Sequence, residues 1–228
     1  MIPSFSKFTK VVPFSLITLA AVFVFATPAF SAPIELIGAA RNFVETGANN
    51  SLIKDRTLFK IKKNGVFYTE SELVNIHAHY RANQASQFKN YTYTGMMRIL
   101  ESGGGVGVTF YSDYPKSDTY YRLRMFGGGS FHIAPHPDGE YTLEGSTDTG
   151  VIPDVELWQK FKIVVRTYRN RTRIRAKVWP KGAAEPANWQ VDCIDRGENR
   201  IKKGKPGVWS MASGTKQWKK LKVSLLSN

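Results

Sequence analysis

Between Thr119 and His136 the chain reads TYYRLRMFGGGSFHIAPH, which predicts two β-strands joined by a glycine turn. Most odd-numbered positions of this stretch carry apolar side chains, and most even-numbered positions carry Tyr, Arg, Ser or His. Because successive side chains of a strand point to opposite faces, the alternation predicts a sheet with one buried face and one polar face.

The glycine run determines the expected register of this hairpin. With residues 127–129 as a three-residue loop, Leu123 pairs with Ile133 on the buried face. On the polar face, Arg124 then pairs with His132. A loop of even length would mix the two faces, so the pattern favours an odd one, although a bulge at the turn would shift individual partners.

The preceding strand, residues 105–112, extends both faces and completes a patch of aromatic, Arg and His side chains. Aromatic rings stack on sugars, and a planar guanidinium forms paired hydrogen bonds with hydroxyls or carboxylates. The alternative is a solvated outer face, where Tyr, Thr and Arg are ordinary strand residues. The predicted ligand-binding residues are Tyr111, Tyr120, Arg122, Arg124, His132 and His136.

Short alternating runs separated by Gly, Pro, Asn and Asp continue along the chain, with almost no sustained helical periodicity. This pattern predicts an all-β fold, a two-sheet antiparallel β-sandwich. The length suffices for one hydrophobic core, so residues 32–228 are predicted to form a single domain, with 33–54 as a loose N-terminal arm or a short helix. Further strands are predicted at Thr57–Lys62, Leu73–Tyr80, Tyr91–Leu100, Gln159–Tyr168, Arg171–Trp179, Trp189–Ile194, Gly207–Met211 and Trp218–Leu225.

A second hairpin is predicted at residues 159–180, QKFKIVVRTYRNRTRIRAKVWP, with a buried side as regular as the first. Opposite that side, Lys162 is expected to pair with Lys177 and Arg166 with Arg173, and directly opposed like charges destabilise a strand pair. A sheet that tolerates such like-charged pairs is suited to an anionic neighbour. The candidates are an acidic polysaccharide, an anionic envelope surface and counterions. The alternative is a basic outer face that only keeps the protein soluble.

The N-terminus has the layout of a secretory signal peptide. Lys7 and Lys10 precede an apolar run from Val11 to Ala26, and TPAFSA follows with small residues placed for cleavage. We therefore expect residues 1–31 to be removed and the protein to be secreted or periplasmic, with no membrane span after cleavage. An uncleaved signal anchor is the alternative, although the run is interrupted by Pro13 and is short for the ~20 residues that cross a bilayer.

The formal net charge is +14, and Cys193 is the only cysteine. A single cysteine excludes an intrachain disulfide, a cysteine metal cluster and a Cys-x-x-Cys redox site. Nucleic acid would match the positive charge, but export and the lack of a recognised nucleic-acid module argue against it as a partner. His77 and His79 share a polar face without a third ligand nearby in sequence, so neither a metal nor a cofactor is predicted.

Several segments of the chain resemble those of concanavalin A-like lectin/glucanase or laminin-G-like jelly rolls. They are LWQKFKIVV, TRIRAKVWP, WQVDCID, GKPGVWSM and QWKKLKV, and the likeness covers roughly residues 91–226. The resemblance implies two antiparallel sheets that bend around each other, with glycans bound or cut on the concave face. Many relatives hold calcium through an acidic pair entering the last strand, where this chain has Lys219 and Lys220, which cannot supply oxygen ligands.

The motifs of enzymatic members can be checked in this chain. The Glu-x-Asp-x-x-Glu pattern of retaining glucanases, a source of the paired carboxylates of glycoside hydrolysis, is absent. The segment NIHAH is similar to the Gln-Ile-His of polysaccharide lyases of the alginate-lyase type, with Asn75 at the Gln position and His77 at the His position. The arginine-rich strand YYRLR lacks the Glu of those lyases, and no Tyr-x-Lys-x-Gly motif follows, so the sequence favours binding over catalysis.

The sequence thus predicts a secreted β-sandwich that binds carbohydrate, with an acidic polysaccharide favoured over a neutral one. Two other hypotheses stay open. A polysaccharide lyase acting on a uronate-containing glycan requires Tyr, His and Arg to converge on one uronate. A non-catalytic structural envelope protein requires no such convergence, and the sequence gives no indication of oligomeric state.

Overall fold

The structure is a computed structural model that describes Met1 and residues 32–38, 42–47 and 57–227. Apart from Met1, the predicted signal peptide lies outside the described residues, so export stays a prediction. The described residues form two antiparallel β-sheets packed face to face, and the all-β sandwich predicted from the sequence is confirmed.

Strands account for most of the regular structure, and a short 3-10 helix lies at Asn83–Gln87. In the described residues the strands are β1 Ile34–Glu35, β2 Phe43–Gly47, β3 Lys60–Ile61, β4 Phe67–Thr69, β5 Ile76–Tyr80, β6 Tyr91–Ile99, β7 Gly105–Ser112, β8 Tyr120–Phe126, β9 His132–His136, β10 Leu143–Ser146, β11 Gln159–Thr167, β12 Thr172–Pro180, β13 Val191–Asp195, β14 Lys205–Met211 and β15 Lys216–Leu225.

The two sheets bring distant parts of the chain side by side. The nine-stranded sheet has the order β10-β13-β12-β11-β6-β15-β4-β3, with β1 also paired to β15. The six-stranded sheet has the order β2-β5-β14-β7-β8-β9. Because β14 lies between β5 and β7, side chains from three separate stretches of sequence share one face at the centre of the smaller sheet.

Side chains on the inner faces of both sheets fill one hydrophobic core. On β11, Phe161, Ile163 and Val165 are buried, and full burial of such a side chain stabilises the fold by about 1.5–3 kcal/mol. Strand β7 differs, because every residue of Gly105–Ser112 is buried. One of its faces packs in the core, and the other lies beneath loops that cover the polar face of the six-stranded sheet.

Both predicted hairpins have the expected register. The predicted partners lie opposite each other: Arg124 and His132, Leu123 and Ile133, Lys162 and Lys177, Arg166 and Arg173. The alternation of apolar and polar residues and the length of each turn were therefore sufficient to place these side chains on the correct faces.

Part of the segment predicted as a loose arm or short helix belongs to the sheets. Ile34–Glu35 pairs with β15, and Phe43–Gly47 adds an edge strand beside β5. The sequence prediction missed these strands, and also Phe67–Thr69 and Leu143–Ser146, because strands of two to five residues carry too little alternation to be recognised.

Strand β13 is tied to the rest of the sandwich by polar and apolar contacts. Tyr121 Oη on β8 donates to Asp195 Oδ2 at 2.6 Å, and the backbone N–H of Ile201 donates to the same Tyr121 hydroxyl at 3.2 Å. The contact joins the two sheets, because β8 and β13 belong to different sheets. Cys193 packs in the core, and burial raises the pKa of its thiol to about 12.

Candidate functional site

The polar face of the six-stranded sheet carries most of the predicted site residues. Directly opposed positions form two rows across the sheet from β5 to β9: His77, Trp209, Gly107, Arg124 and His132 in the first, and His79, Gly207, Thr109, Arg122 and Ala134 in the second. Gly207 leaves space in the second row, because a Cβ there would lie 2.5 Å from Thr109 Oγ1 and 2.9 Å from His79 Nδ1.

Three histidines and one aspartate form a polar chain over this face. His79 Nε2 lies 2.8 Å from His77 Nδ1, and His77 Nε2 lies 3.1 Å from Asp118 Oδ1. The other carboxylate oxygen, Asp118 Oδ2, lies 3.1 Å from His136 Nε2. Thr109 Oγ1 is 3.2 Å from His79 Nδ1, so Thr109 is the last member of this series of polar contacts beyond His79.

Burial determines how this chain is protonated. Desolvation lowers the pKa of His77 and lowers that of His79 well below its usual value, so both rings are neutral at neutral pH. Thr109 then donates to His79, and His79 donates to His77, while the Nε2–H of His77 lies 3.1 Å from Asp118 Oδ1 without hydrogen-bond alignment. Burial would raise the pKa of Asp118, but the adjacent His136 and His77 rings hold it well below its usual range, so this carboxyl is anionic.

The same contacts show that the sheet is curved. Strands β5 and β9 are separated by three other strands, about 19 Å in a flat sheet, yet His77 and His136 reach the two oxygens of one carboxylate. Side chains that stand perpendicular to a flat sheet cannot meet in this way. The polar face therefore lies on the inside of the curve, covered in part by the loop between β7 and β8 that carries Asp118 and Tyr114, whose ring centroid is 4.9 Å from that of His77.

Asn75, at the entrance to β5, receives three polar groups from two other strands, β14 and β8. Its Oδ1 accepts from Trp209 Nε1 at 2.5 Å and from Arg122 Nη1 at 3.2 Å. Tyr120 Oη lies 3.4 Å from the same oxygen. A carbonyl oxygen has two lone pairs, so the Tyr120 contact is the weakest of the three. All four side chains are buried.

A pocket of about 330 Å³ opens beside this network, and we call it the arginine pocket. It is lined by Val74, Asn75, Arg122, Arg124, His136, Pro137, Asp138 and Met211. Within the described part of the chain, Arg124 Nε and His136 Nδ1 have no hydrogen-bond partner although both atoms are buried. Arg122 Nη2 binds Asp138 Oδ1 at 2.6 Å, and the Asp138 side chain is 70% exposed.

The predicted site residues fall into different places relative to this pocket. Arg122, Arg124 and His136 line it. Tyr120 lies on the same face without lining the pocket, with its ring stacked on His136 at a centroid distance of 4.8 Å, and burial raises the pKa of its hydroxyl. His132 lies opposite Arg124 at the sheet edge, where its Nδ1 is 3.0 Å from the Ser130 carbonyl oxygen.

Tyr111 does not share this face, which corrects the expectation from the sequence. Its φ of 52° breaks the alternation of β7, and its side chain packs in the core. The Tyr111 hydroxyl accepts from the Asn90 N–H at 3.0 Å and lies 3.2 Å from Thr167 Oγ1. Tyr111 therefore links the two sheets and is not placed to contact a ligand.

Three residues of the site, Asp118, Asp138 and Trp209, were not among the ligand-binding residues predicted from the sequence. The two aspartates lie in short polar segments next to β8 and β9, where Asp is an ordinary turn residue. Their position was nevertheless a usable signal, because loops at the ends of a polar-faced hairpin lie close to that face. Trp209 reaches the site only because β14 inserts between β5 and β7.

The described residues contain no group of three or more His, Cys, Asp or Glu side chains placed to hold a metal ion. His77 and His79 direct ring nitrogens at each other, and this arrangement differs from that of two ligands on one metal. In the same part of the chain, no helix has the length and apolar character needed to cross a membrane.

Comparison with solved structures identifies the fold. A Bacillus subtilis protein of unknown function with a galectin-like fold has a TM-score of 0.52 at 12% identity, covering 86% of this chain and 96% of that chain. A pseudo β-1,3-glucanase of Mycobacterium tuberculosis also has a TM-score of 0.52 at 12% identity, covering 87% and 99%. The fold is a concanavalin A-like jelly roll.

This jelly roll is the one that the aromatic strand segments predicted, so the resemblance drawn from the sequence is confirmed. Identity of 12% shows the fold and carries no activity with it. No protein-family model and no curated protein matches the sequence of the chain. The function must therefore be argued from the side chains of the jelly roll itself.

Proposed function

We propose that this protein is an exported carbohydrate-binding protein that takes an acidic sugar in the arginine pocket. The observation that carries the proposal is the presence of two buried polar atoms without a partner in the described residues, Arg124 Nε and His136 Nδ1, in a pocket that Arg122 also lines. A guanidinium donates to carboxylates and hydroxyls, and a neutral imidazole nitrogen accepts from a hydroxyl.

The contact between Arg122 and Asp138 supports an anionic ligand. The Asp138 side chain is mostly exposed, and its carboxylate binds Arg122 Nη2. The Asp138 carboxylate therefore occupies the position that a sugar carboxylate would take. Displacement of Asp138 costs little, because an incoming carboxylate would form the same charged hydrogen bond with Arg122 while the mostly exposed Asp138 carboxylate returns to water. A uronate carboxylate could therefore replace Asp138 without exposing an unpaired buried charge on Arg122.

Calorimetric titration of the mature protein tests this proposal. We expect oligogalacturonate to bind, and the same oligosaccharide with its carboxylates reduced to alcohols to bind at least ~10-fold more weakly, because charge-assisted hydrogen bonds contribute about 1.5–3 kcal/mol. Arg124→Gln should weaken binding of the acidic oligosaccharide by a similar factor. Arg81→Gln, which removes the same charge at an exposed position elsewhere, is the matched control.

The proposal fails if both substitutions have equal effects or if the two oligosaccharides bind equally well. A parent protein that binds no member of a broad glycan array would instead favour the structural envelope role. In either outcome the fold of the variants is checked by circular dichroism, so that loss of binding is separated from loss of structure.

A polysaccharide lyase is the second candidate, because Tyr120 and Arg122 converge on Asn75 beside His77. These residue types match the set that the resemblance to alginate-lyase-type enzymes implies. Burial opposes this candidate, since Tyr120 and His77 are fully buried. The test is absorbance from new carbon–carbon double bonds on incubation with uronate polymers, and its absence across a panel would leave binding as the function.

A further inference from the structure

The outward face of the nine-stranded sheet carries a dense group of cations, which we call the basic face. Its cationic side chains come from three strands: Lys160, Lys162 and Arg166 on β11, Arg173, Arg175 and Lys177 on β12, and Lys219, Lys220 and Lys222 on β15. This face lies on the opposite side of the sandwich from the arginine pocket, so its properties are independent of that site.

The register places several of these cations in line across the sheet. Lys177, Lys162, Thr94 and Lys222 are directly opposed on β12, β11, β6 and β15. These four residues span three strand spacings, or about 14 Å. Along β11, Lys160 and Arg166 are six residues apart, which corresponds to about 20 Å. The positive charge thus covers an extended area of the sheet.

Tryptophan rings hold part of this charge in place. Lys219 Nζ lies 4.0 Å from the centroid of the Trp158 ring, and Arg98 lies 4.6 Å from the same centroid. Arg175 and Lys177 each lie 4.8 Å from the Trp189 ring. Cations stacked on rings are restrained in position, so less side-chain entropy is lost when they bind an anion.

The carboxylates on this face neutralise only part of its charge. Glu185 binds both Lys162 and Lys177, at 3.1 and 3.3 Å, and Asp192 binds Arg173 at 2.5 Å. Glu35 pairs with Lys222. Among the described residues no carboxylate forms an ion pair with Lys160, Arg166, Lys219 or Lys220, and Asp192, which lies opposite Arg175, already binds Arg173. The excess charge of these cations is therefore available to an external anion.

A groove of about 280 Å³ lies within the basic face. Four lysines line it, Lys160, Lys162, Lys220 and Lys222, together with the wall formed by Trp179. Trp179 is 8% exposed, and its Nε1–H has no hydrogen-bond partner among the described residues. Glu185 also lines the groove and binds Lys162, and Glu35 binds Lys222. The donors left for an external anionic oxygen are therefore Lys160, Lys220 and the indole N–H of Trp179.

We propose that the basic face is a second binding surface, for a linear polysaccharide that carries sulfate or carboxylate groups. The elongated shape and regular spacing of the cations match a chain with repeated anionic groups. Single-stranded nucleic acid relies on exposed rings for base stacking, whereas the rings here are covered by Arg98, Lys219, Arg175 and Lys177. Insertion into a membrane surface requires exposed apolar side chains beside the cations, whereas the two aromatic rings that line the groove, Phe161 and Trp179, are buried.

The test measures binding of heparin, as the sulfated probe, and polygalacturonate, as the carboxylated probe. The variant Lys160→Gln/Lys220→Gln removes two lysines without a carboxylate partner, and Lys202→Gln/Lys203→Gln removes two exposed lysines from the loop before β14 as a charge-matched control. Polygalacturonate is measured in an Arg124→Gln background, so that failure of the arginine pocket and failure of the basic face are distinguishable.

We expect the groove variant to lose at least ~10-fold in affinity for one or both probes, and the control to lose less than ~2-fold. The parent's affinity should also fall at least ~10-fold between about 50 and 500 mM NaCl, because exposed charges are screened within a few ångströms at high salt. Equal losses in both double variants, or no binding of either probe by the parent, would overturn the proposal. Tighter binding of duplex DNA or of phosphatidylglycerol vesicles than of both glycans would overturn the assignment to polysaccharide.

Discussion

Asp118 Oδ2 lies 3.1 Å from His136 Nε2, and this contact joins the loop between β7 and β8 to the edge strand β9. The other oxygen of the same carboxylate reaches His77 on β5, so one loop residue connects two distant strands of the curved sheet. The Asp118 side chain is only 13% exposed. The contact therefore supports both the shape of the sheet and the orientation of His136 in the arginine pocket.

Asp118→Asn should weaken both the fold and the site. His77 and His136 face different oxygens of the carboxylate, and asparagine replaces one of these oxygens with an NH2 donor, so one histidine loses its acceptor. Loss of a charged hydrogen bond costs about 1.5–3 kcal/mol. Urea unfolding at neutral pH measures the loss, and calorimetry measures the accompanying fall in affinity for oligogalacturonate. Asp113→Asn in the same loop, where the carboxylate accepts from Ser117 Oγ, is the control and should change both quantities less.

The stability of the protein should decrease as the pH falls below about 6.5. His77 and His79 have lowered pKa values in the folded state, so below the unfolded value the unfolded chain binds protons that the folded chain does not. Each histidine that stays neutral contributes a slope of about 1.4 kcal/mol per pH unit. The depressed pKa of Asp118 acts at lower pH, since its contribution is lost only below the usual carboxyl range.

Urea unfolding between pH 7.5 and 5 measures this slope. His79→Gln should reduce the slope by about 1.4 kcal/mol per pH unit, the contribution of one histidine that stays neutral in the folded state. A slope that does not change in His79→Gln would contradict the assignment of the buried histidines as neutral.

Gly207→Ala should destabilise the fold by about 1–3 kcal/mol or more, because overpacked sites cannot relax without moving their neighbours. The new Cβ would contact the carbonyl oxygen of Ala78, Thr109 Oγ1 and His79 Nδ1, two of them rigid parts of the sheet or of the histidine chain. Gly129→Ala in the glycine turn is the control, since its nearest heavy atom is the Phe126 carbonyl oxygen at 3.3 Å. Thermal unfolding that is the same in both variants would contradict this prediction.

Tyr121→Phe should cost about 1–3 kcal/mol, since it removes a 2.6 Å hydrogen bond to the buried Asp195 and leaves that carboxylate with one partner fewer. The neighbouring ring of Tyr141 is 6.1 Å away and only half-buried, and Tyr141→Phe serves as the control. Comparison of the two free energies of unfolding in urea provides the measurement, and equal values would show that the bond between the sheets contributes nothing.

The two long hairpins were predictable from the sequence because their information is local. Strands of seven or nine residues repeat the alternation several times, and the turn lengths leave one register that keeps apolar residues on one side. Arg122, Arg124 and His136 could be assigned to a common face for this reason. The short strands β1, β2, β4 and β10 lack enough repeats to be recognised.

The assembly of the site depends on information that is not local. Asp118 meets His77 across 41 residues of sequence only because of the strand order, and Trp209 meets Asn75 across 134 residues. Tyr111 follows the alternating pattern in the sequence, and it departs from it in the structure because a positive φ rotates its side chain into the core. Neither strand order nor an isolated left-handed residue has a signature in residue spacing.

Cys193 gives the protein an internal reporter of its own motions. The thiol packs in the core of β13 between β10 and β12, and the chain has no other cysteine. A buried thiol with a raised pKa reacts with alkylating reagents only after that part of the sheet has opened. The rate of labelling without denaturant would therefore give the free energy of local opening at this edge of the sandwich, in the unmodified protein and with either glycan bound.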